Sequence, residues 1–109
     1  MAAQGCDAMI HELKLDKKWF ESVVNGQKRF EIRKDDRNFK VGDILTLKEV
    51  ERTSDNSIDY TGNEVQVKIT SILKHEDFPE GIQEGYVILS IDLKLLDVMH
   101  DREVLFTRQ

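Results

Sequence analysis

Hydrophobic residues recur along this chain in short runs, and the period of each run names an element. Met9 to Leu15 alternates, with His11, Leu13 and Leu15 on one face, and predicts a strand. Asp16 follows in the N-cap position of a helix, with Leu15 and Phe20 spaced as a hydrophobic staple. Trp19, Phe20, Val23 and Val24 recur at helical spacing and predict the buried stripe of a helix of about ten residues. Gly26 stands just beyond it, where a left-handed residue ends a helix. In the next stretch Phe30 and Ile32 alternate with Arg29, Glu31 and Arg33, which predicts a second strand with a dry apolar face and a wet charged one. A polar turn from Lys34 to Lys40 leads through Val41-Gly42-Asp43 to a third strand, Ile44 to Val50.

Residues 51–63 are rich in Ser, Asp, Asn and Gly and read as a long hairpin loop or two adjacent turns. Glu64 to Leu73 alternates with Val65, Val67 and Ile69 inward, until Ile72 falls on the opposite parity. That slip predicts a β-bulge. His75 to Gly85, holding the sole proline, Pro79, is a loop. Tyr86 to Leu93 is almost continuously apolar and is expected to be a central strand.

Five strands with one early helix place the chain in the α+β class, as a small curved sheet or barrel of about five to six strands. Its 109 residues make one domain, expected over residues 9–93, and are enough to bury a core without a metal or disulfide. Residues 1–8 read as a loose N-terminal extension, with Met9 as an alternative start. Residues 94–109 read as a C-terminal extension in which Leu95, Leu96, Val98 and Met99 suit a helix and Val104, Leu105 and Phe106 suit a strand; both stay open. Cys6 is the only cysteine, which fits a reducing compartment. No apolar run approaches ~20 residues, and the N-terminus lacks the basic and apolar regions of a secretory signal. A cytoplasmic protein without a membrane partner is the expectation.

Charge sharpens the picture. The chain carries a formal −5, yet Lys28 to Lys40 holds six cations and three carboxylates, so this segment is +3 and the remainder −8. A cationic groove on an acidic body steers an anion to one place. Arg33 offers a planar fork for phosphate or a base edge, and Lys28 a point charge. Glu31 can accept from the exocyclic amine of cytosine or adenine, or simply hold its cationic neighbours. Phe39 and Tyr86 are candidate stacking surfaces. Phe39 also suits packing under the turn, and Tyr86 suits a core strand with its hydroxyl at the rim. Trp19, at core spacing, reads as packing. His11, His75 and His100 lack metal-ligand spacing, Asp35-Asp36 reads as turn chemistry, and there is no phosphate-binding glycine loop or nucleophile elbow. No metal or cofactor is expected.

The stretches His11-Glu12-Leu13-Lys14-Leu15, Gly26-x-Lys28-x-x-Glu31-Ile32-Arg33-Lys34, Asp36-Arg37-Asn38-Phe39-x-Val41-Gly42-Asp43, Tyr60-Thr61-Gly62 and Gly85-Tyr86-Val87-Ile88-Leu89, in this order, resemble an ASCH-like family of the PUA-like superfamily. It is a small domain of unknown function in bacteria and phages, with RNA binding proposed for it. The resemblance covers about Met9 to Leu93. It implies a β-barrel with short helices on its flanks and a ligand cleft beside the second strand. That cleft would be lined by Lys28, Glu31, Arg33 and Lys34, with Arg37, Asn38 and Tyr86 close by.

Two functions of different class follow. The first is an RNA- or nucleotide-binding module without catalysis. The second is a small hydrolase of a modified nucleoside, similar to ASCH-like amidohydrolases that deacetylate N4-acetylcytidine. In those enzymes a lysine activates a threonine and a glutamate assists. Lys28 matches that lysine, but the threonine position, three residues on, is Glu31. A carboxylate is a poor acyl-accepting nucleophile, which leaves Glu31 a general-base role with Lys28 or Arg33 at the oxyanion. Ribonuclease activity, found in the wider superfamily, has no residue here that singles it out. A monomer is expected, and the acidic remainder of the surface leaves room for a protein partner.

Overall fold

A computed structural model describes residues 8–93. The expected C-terminal extension and, apart from Ala8, the N-terminal one lie outside the described residues. The elements run β1 (Ile10–Asp16), α1 (Lys17–Val24), β2 (Phe30–Lys34), β3 (Ile44–Arg52), β4 (Ile58–Lys74) and β5 (Tyr86–Leu93), with one 3-10 turn at His75–Asp77. The five strands form one mixed sheet in the order β1-β3-β4-β5-β2. β1 runs parallel to β3; every other pairing is antiparallel.

The helix begins and ends as its sequence dictates. Asp16 accepts from the amide of Lys18 at 2.9 Å, satisfying one of the donors a first turn leaves free. Asn25 is the C-cap, and Gly26 follows in the left-handed region at φ 82°, a conformation cheap only for glycine. Only Val23 of the helix is fully buried, and Phe20 packs half-buried against the core. Trp19 and Val24, predicted inside, are 45% and 43% exposed. An eight-residue helix lying on one side of the sheet presents too narrow a face to bury all four.

The core comes from the alternating strands. Leu13 and Leu15 of β1, Leu45 and Leu47 of β3, Val67 and Ile69 of β4, and Val87, Leu89 and Ile91 of β5 pack with Val23 and Phe39. Each fully buried aliphatic side chain contributes roughly 1.5–3 kcal/mol. Phe39 is therefore core, 4% exposed, and makes an edge-on contact with the His11 ring at 5.0 Å. His11 in turn bonds the buried Asp43 at 2.8 Å, and Asp43 also accepts from the amides of Met9 and Lys40. Burial alone would push the Asp43 carboxyl up. These hydrogen bonds outweigh it and hold the group below the ordinary aspartate value.

β3 and β4 are longer than the pattern predicted. The loop expected over 51–63 is instead a continuation of both strands, closed by a tight turn at 53–57. In that turn the Thr53 amide donates to the Ser57 carbonyl at 2.9 Å, and Asn56 takes φ 74°. Hydrogen bonds from Thr53 and Ser57 pull the Asp55 carboxyl down to about 2. The strands were hidden because this hairpin projects past the core, so most of its side chains are exposed on both faces and no alternation is written into it. Two irregularities bend β4. One lies between Ile69 and Ser71, where the parity slip predicted it. The other sets Thr61-Gly62-Asn63 opposite the single residue Glu49. There Gly62 has φ 98°, and the Glu49 carboxylate accepts from Thr61 at 2.7 Å and Asn63 at 3.0 Å.

The sheet does not close into the expected barrel, and α1 and the 3-10 turn are the only helical elements among the described residues. β1 and β2 are its two edges and share no ladder. Arginine side chains cross between them instead. Arg33 Nη2 donates to the carbonyl of Lys14 at 2.6 Å, and Arg37 Nη1 to that of Glu12 at 3.0 Å. These carbonyls are two residues apart on β1, so they face the same, outer side of that edge. The two guanidinium groups thus satisfy edge carbonyls that no strand pairs.

Candidate functional site

The inner face of β2 is the reverse of the one its pattern predicted. Phe30 and Ile32 are 45% and 56% exposed, whereas Glu31 is buried at 3%. Register is the cause. Glu31 pairs with Leu89 and Arg33 with Val87, both fully buried, so the charged residues share the core face of β5. Alternation shows that a strand has two unlike faces. It does not say which turns inward, and here β5 decides.

Turned inward, the charges satisfy one another. Lys28 Nζ donates to Glu31 Oε2 at 2.7 Å. Arg33 Nε donates to Oε1 at 3.0 Å, with Nη2 at 2.9 Å from the same oxygen. Lys28 reaches this point because the chain folds back after α1, the amides of Gln27 and Lys28 both donating to the Ser22 carbonyl at 2.9 Å. Its ammonium also bonds the Phe30 carbonyl at 2.7 Å. Among the described residues no buried side-chain polar atom lacks a partner. Two cations around one carboxylate leave a net positive charge at the seam between the sheet edges.

The cluster fronts a hollow of about 310 Å³ lined by Leu15, Asp16, Trp19, Lys28, Phe30, Glu31, Ile32 and Arg33, where a second carboxylate, Asp16, joins the first. Its size is at the low end of small-molecule sites, roughly 300–1,000 Å³, and suits a single ring system. Trp19 and Phe30 supply exposed aromatic surface, and Lys28 Nζ lies 5.9 Å from the Trp19 ring and 4.7 Å from that of Phe30. Arg33 also borders a second hollow of about 270 Å³, whose lining includes Lys14, Arg37, Lys48 and Tyr60.

The residues named from the sequence divide between two places. Lys28, Glu31 and Arg33 converge, whereas Arg37 bonds the Glu12 carbonyl, lies 3.7 Å from Asp36 Oδ1 and lines the second hollow. Lys34 and Tyr86 pair with each other at the end of β2 and line neither hollow. Asn38 is exposed in the turn after β2 and adopts φ 53°, a backbone role. Arg29 is held by its own turn, Nε donating to the Gly26 carbonyl at 3.0 Å. Trp19 and Phe30 were missed because each occupies a position whose spacing mimics a core residue. Their nearness to Lys28, the cation both rings face, was the available signal. Among the described residues no group of three or more His, Cys, Asp or Glu could hold a metal ion, and no helix is long and apolar enough to cross a membrane.

A small mixed sheet with one helix and a seam-side charged cluster is the architecture to set beside known proteins. The chain belongs to the family described as domain of unknown function DUF3850, whose model matches residues 10–91. Over 82 residues it is 40% identical to the uncharacterized 12.9 kDa protein in GpA 3'region of Escherichia phage P2, covering 75% of this chain and 67% of that one. The matched span of the family contains β1 through most of β5, and so the entire seam.

Proposed function

We propose that this chain is an ASCH-like module that binds a nucleobase-bearing anion, RNA or a nucleotide, in the hollow between the edges of its sheet. The observation that carries the proposal is the Lys28–Glu31–Arg33 cluster standing at a ring-sized hollow beside two exposed aromatics. Aromatic faces stack on any base, and such contacts are worth about 1–3 kcal/mol per base. Glu31, buried with both oxygens bonded, holds Lys28 and Arg33 at the edge of the hollow, and their charges suit a phosphate. The order of motifs that resembles the ASCH-like family supports the same reading, because its Lys, Glu and Arg positions are the ones that meet here.

The hydrolase reading ranks behind. Both oxygens of Glu31 already accept hydrogen bonds from cations, and the lining of the hollow contains no serine, threonine or cysteine to act as an acyl-accepting nucleophile.

Trp19 is the sole tryptophan and therefore a built-in reporter. Titration with the four nucleosides and with short single-stranded homopolymeric RNAs is expected to quench its emission saturably. RNA affinity should fall as salt rises, and Arg33→Ala should weaken it at least about tenfold through loss of charged hydrogen bonds. Emission unmoved by all of these ligands at low salt would reject the proposal.

A further inference from the structure

The second hollow has a different character from the first. Lys14, Arg33, Arg37 and Lys48 border it, against one carboxylate, Glu12. That carboxylate is two-thirds exposed and lies 3.5 Å from Lys48 Nζ, a loose surface contact. Arg37 and Arg33 enter with their guanidinium groups already oriented by the Glu12 and Lys14 carbonyls, so two planar forks are fixed before any ligand arrives. At the far side stands Tyr60, 59% exposed. The two hollows share Arg33 as a wall. Along β1, Glu12 to Lys14 borders the cationic hollow, and Leu15 and Asp16 border the aromatic one. Their centres therefore lie two to three residues apart, roughly 7–10 Å at the rise of a strand. That is comparable with the span from a base to the phosphodiester joining it to its neighbour.

We infer that the cationic hollow is a phosphodiester subsite, and that the ligand is a single strand of nucleic acid crossing the seam rather than a free nucleoside. One base sits at Trp19 and Phe30, the linking phosphate among Arg33, Arg37, Lys14 and Lys48, and the next base on Tyr60. The order aromatic, cation, aromatic repeats the order base, phosphate, base. This rests on the function proposed above and adds ligand length to it.

The test compares each nucleoside with its dinucleoside monophosphate (ApA, CpC, GpG, UpU), read by Trp19 emission and by isothermal titration. The dinucleotide is expected to bind about tenfold more tightly than the nucleoside, as a charged hydrogen-bonded contact implies. Its affinity should fall as salt rises, as screening of one phosphate by ions requires, while nucleoside affinity should not. Lys14→Ala with Lys48→Ala should shrink the ratio of dinucleotide to nucleoside affinity toward one. Tyr60→Ala should lower dinucleotide affinity several-fold. If nucleosides bind and the dinucleotide gains nothing, or if the ratio survives the double substitution, the phosphate subsite is overturned while the base-binding reading stands. If neither class of ligand binds, both fall together.

Discussion

Glu31→Gln is the sharpest perturbation available, because it removes one charge and almost no volume. In the native cluster the two carboxylate oxygens serve different cations, Oε2 bonding Lys28 at 2.7 Å and Oε1 bonding Arg33 at 3.0 Å. Glutamine keeps one acceptor oxygen and turns an amide NH₂ toward whichever cation loses its partner. One charge-assisted hydrogen bond disappears, worth about 1.5–3 kcal/mol. A cation is also left facing a donor. Removing one member of a buried pair costs roughly 3–5 kcal/mol, and the Lys28 and Arg33 side chains, 15% and 23% exposed, keep enough contact with water to favour the lower end. The expected loss is about 3 kcal/mol, or roughly 10–20 °C in Tm for a domain of this size. Thermal and urea unfolding followed by far-UV circular dichroism measure it. The triple change Lys28→Met, Glu31→Leu, Arg33→Met, which replaces the ions by apolar groups of similar bulk, should recover most of the lost stability and none of the RNA binding. A Glu31→Gln protein within about 0.5 kcal/mol of the parent would refute the claim that this carboxylate is clamped from both sides.

Two further outcomes follow from other parts of the fold. The Asp43 carboxyl has its folded-state pKa depressed, so its contribution to stability is fully present above the ordinary aspartate value near 4 and is lost as pH falls through the lower folded value. Urea unfolding across that acid range should show stability falling with pH, and Asp43→Asn should flatten the slope; an unchanged slope would count against the His11–Asp43 arrangement. Gly62→Ala meets open space but forces a side chain onto φ 98°, so it should cost about 1–2 kcal/mol in a denaturant titration, and a neutral result would mean the Thr61–Asn63 bulge relaxes freely.

Much of the fold was legible because local chemistry and long-range pairing agree. Asp16, Gly26, the alternation of Leu13 and Leu15, and the parity slip before Ile72 each specify one local geometry, and each is found. The misreadings share a cause. Residues 51–63 carry strand geometry without strand patterning because the hairpin leaves the core. β2 carries strand patterning with the opposite orientation, because its inner face is chosen by pairing with Val87 and Leu89. The candidate site repeats the lesson. Lys28, Glu31 and Arg33 lie close in sequence and could be grouped by eye. Trp19, Lys14, Lys48 and Tyr60 come to the seam from α1, β1, β3 and β4, and no local spacing connects them.

The arginine staples between β1 and β2 carry a mechanical consequence. Main-chain ladders break cooperatively, whereas two long side chains can each be released and remade singly. The seam is thus a line along the sheet held by side chains and not by a strand-to-strand ladder, so its bonds are independent of the main-chain pairing. The same staples occupy carbonyls on a strand border that would otherwise recruit foreign chains, and so guard the rim.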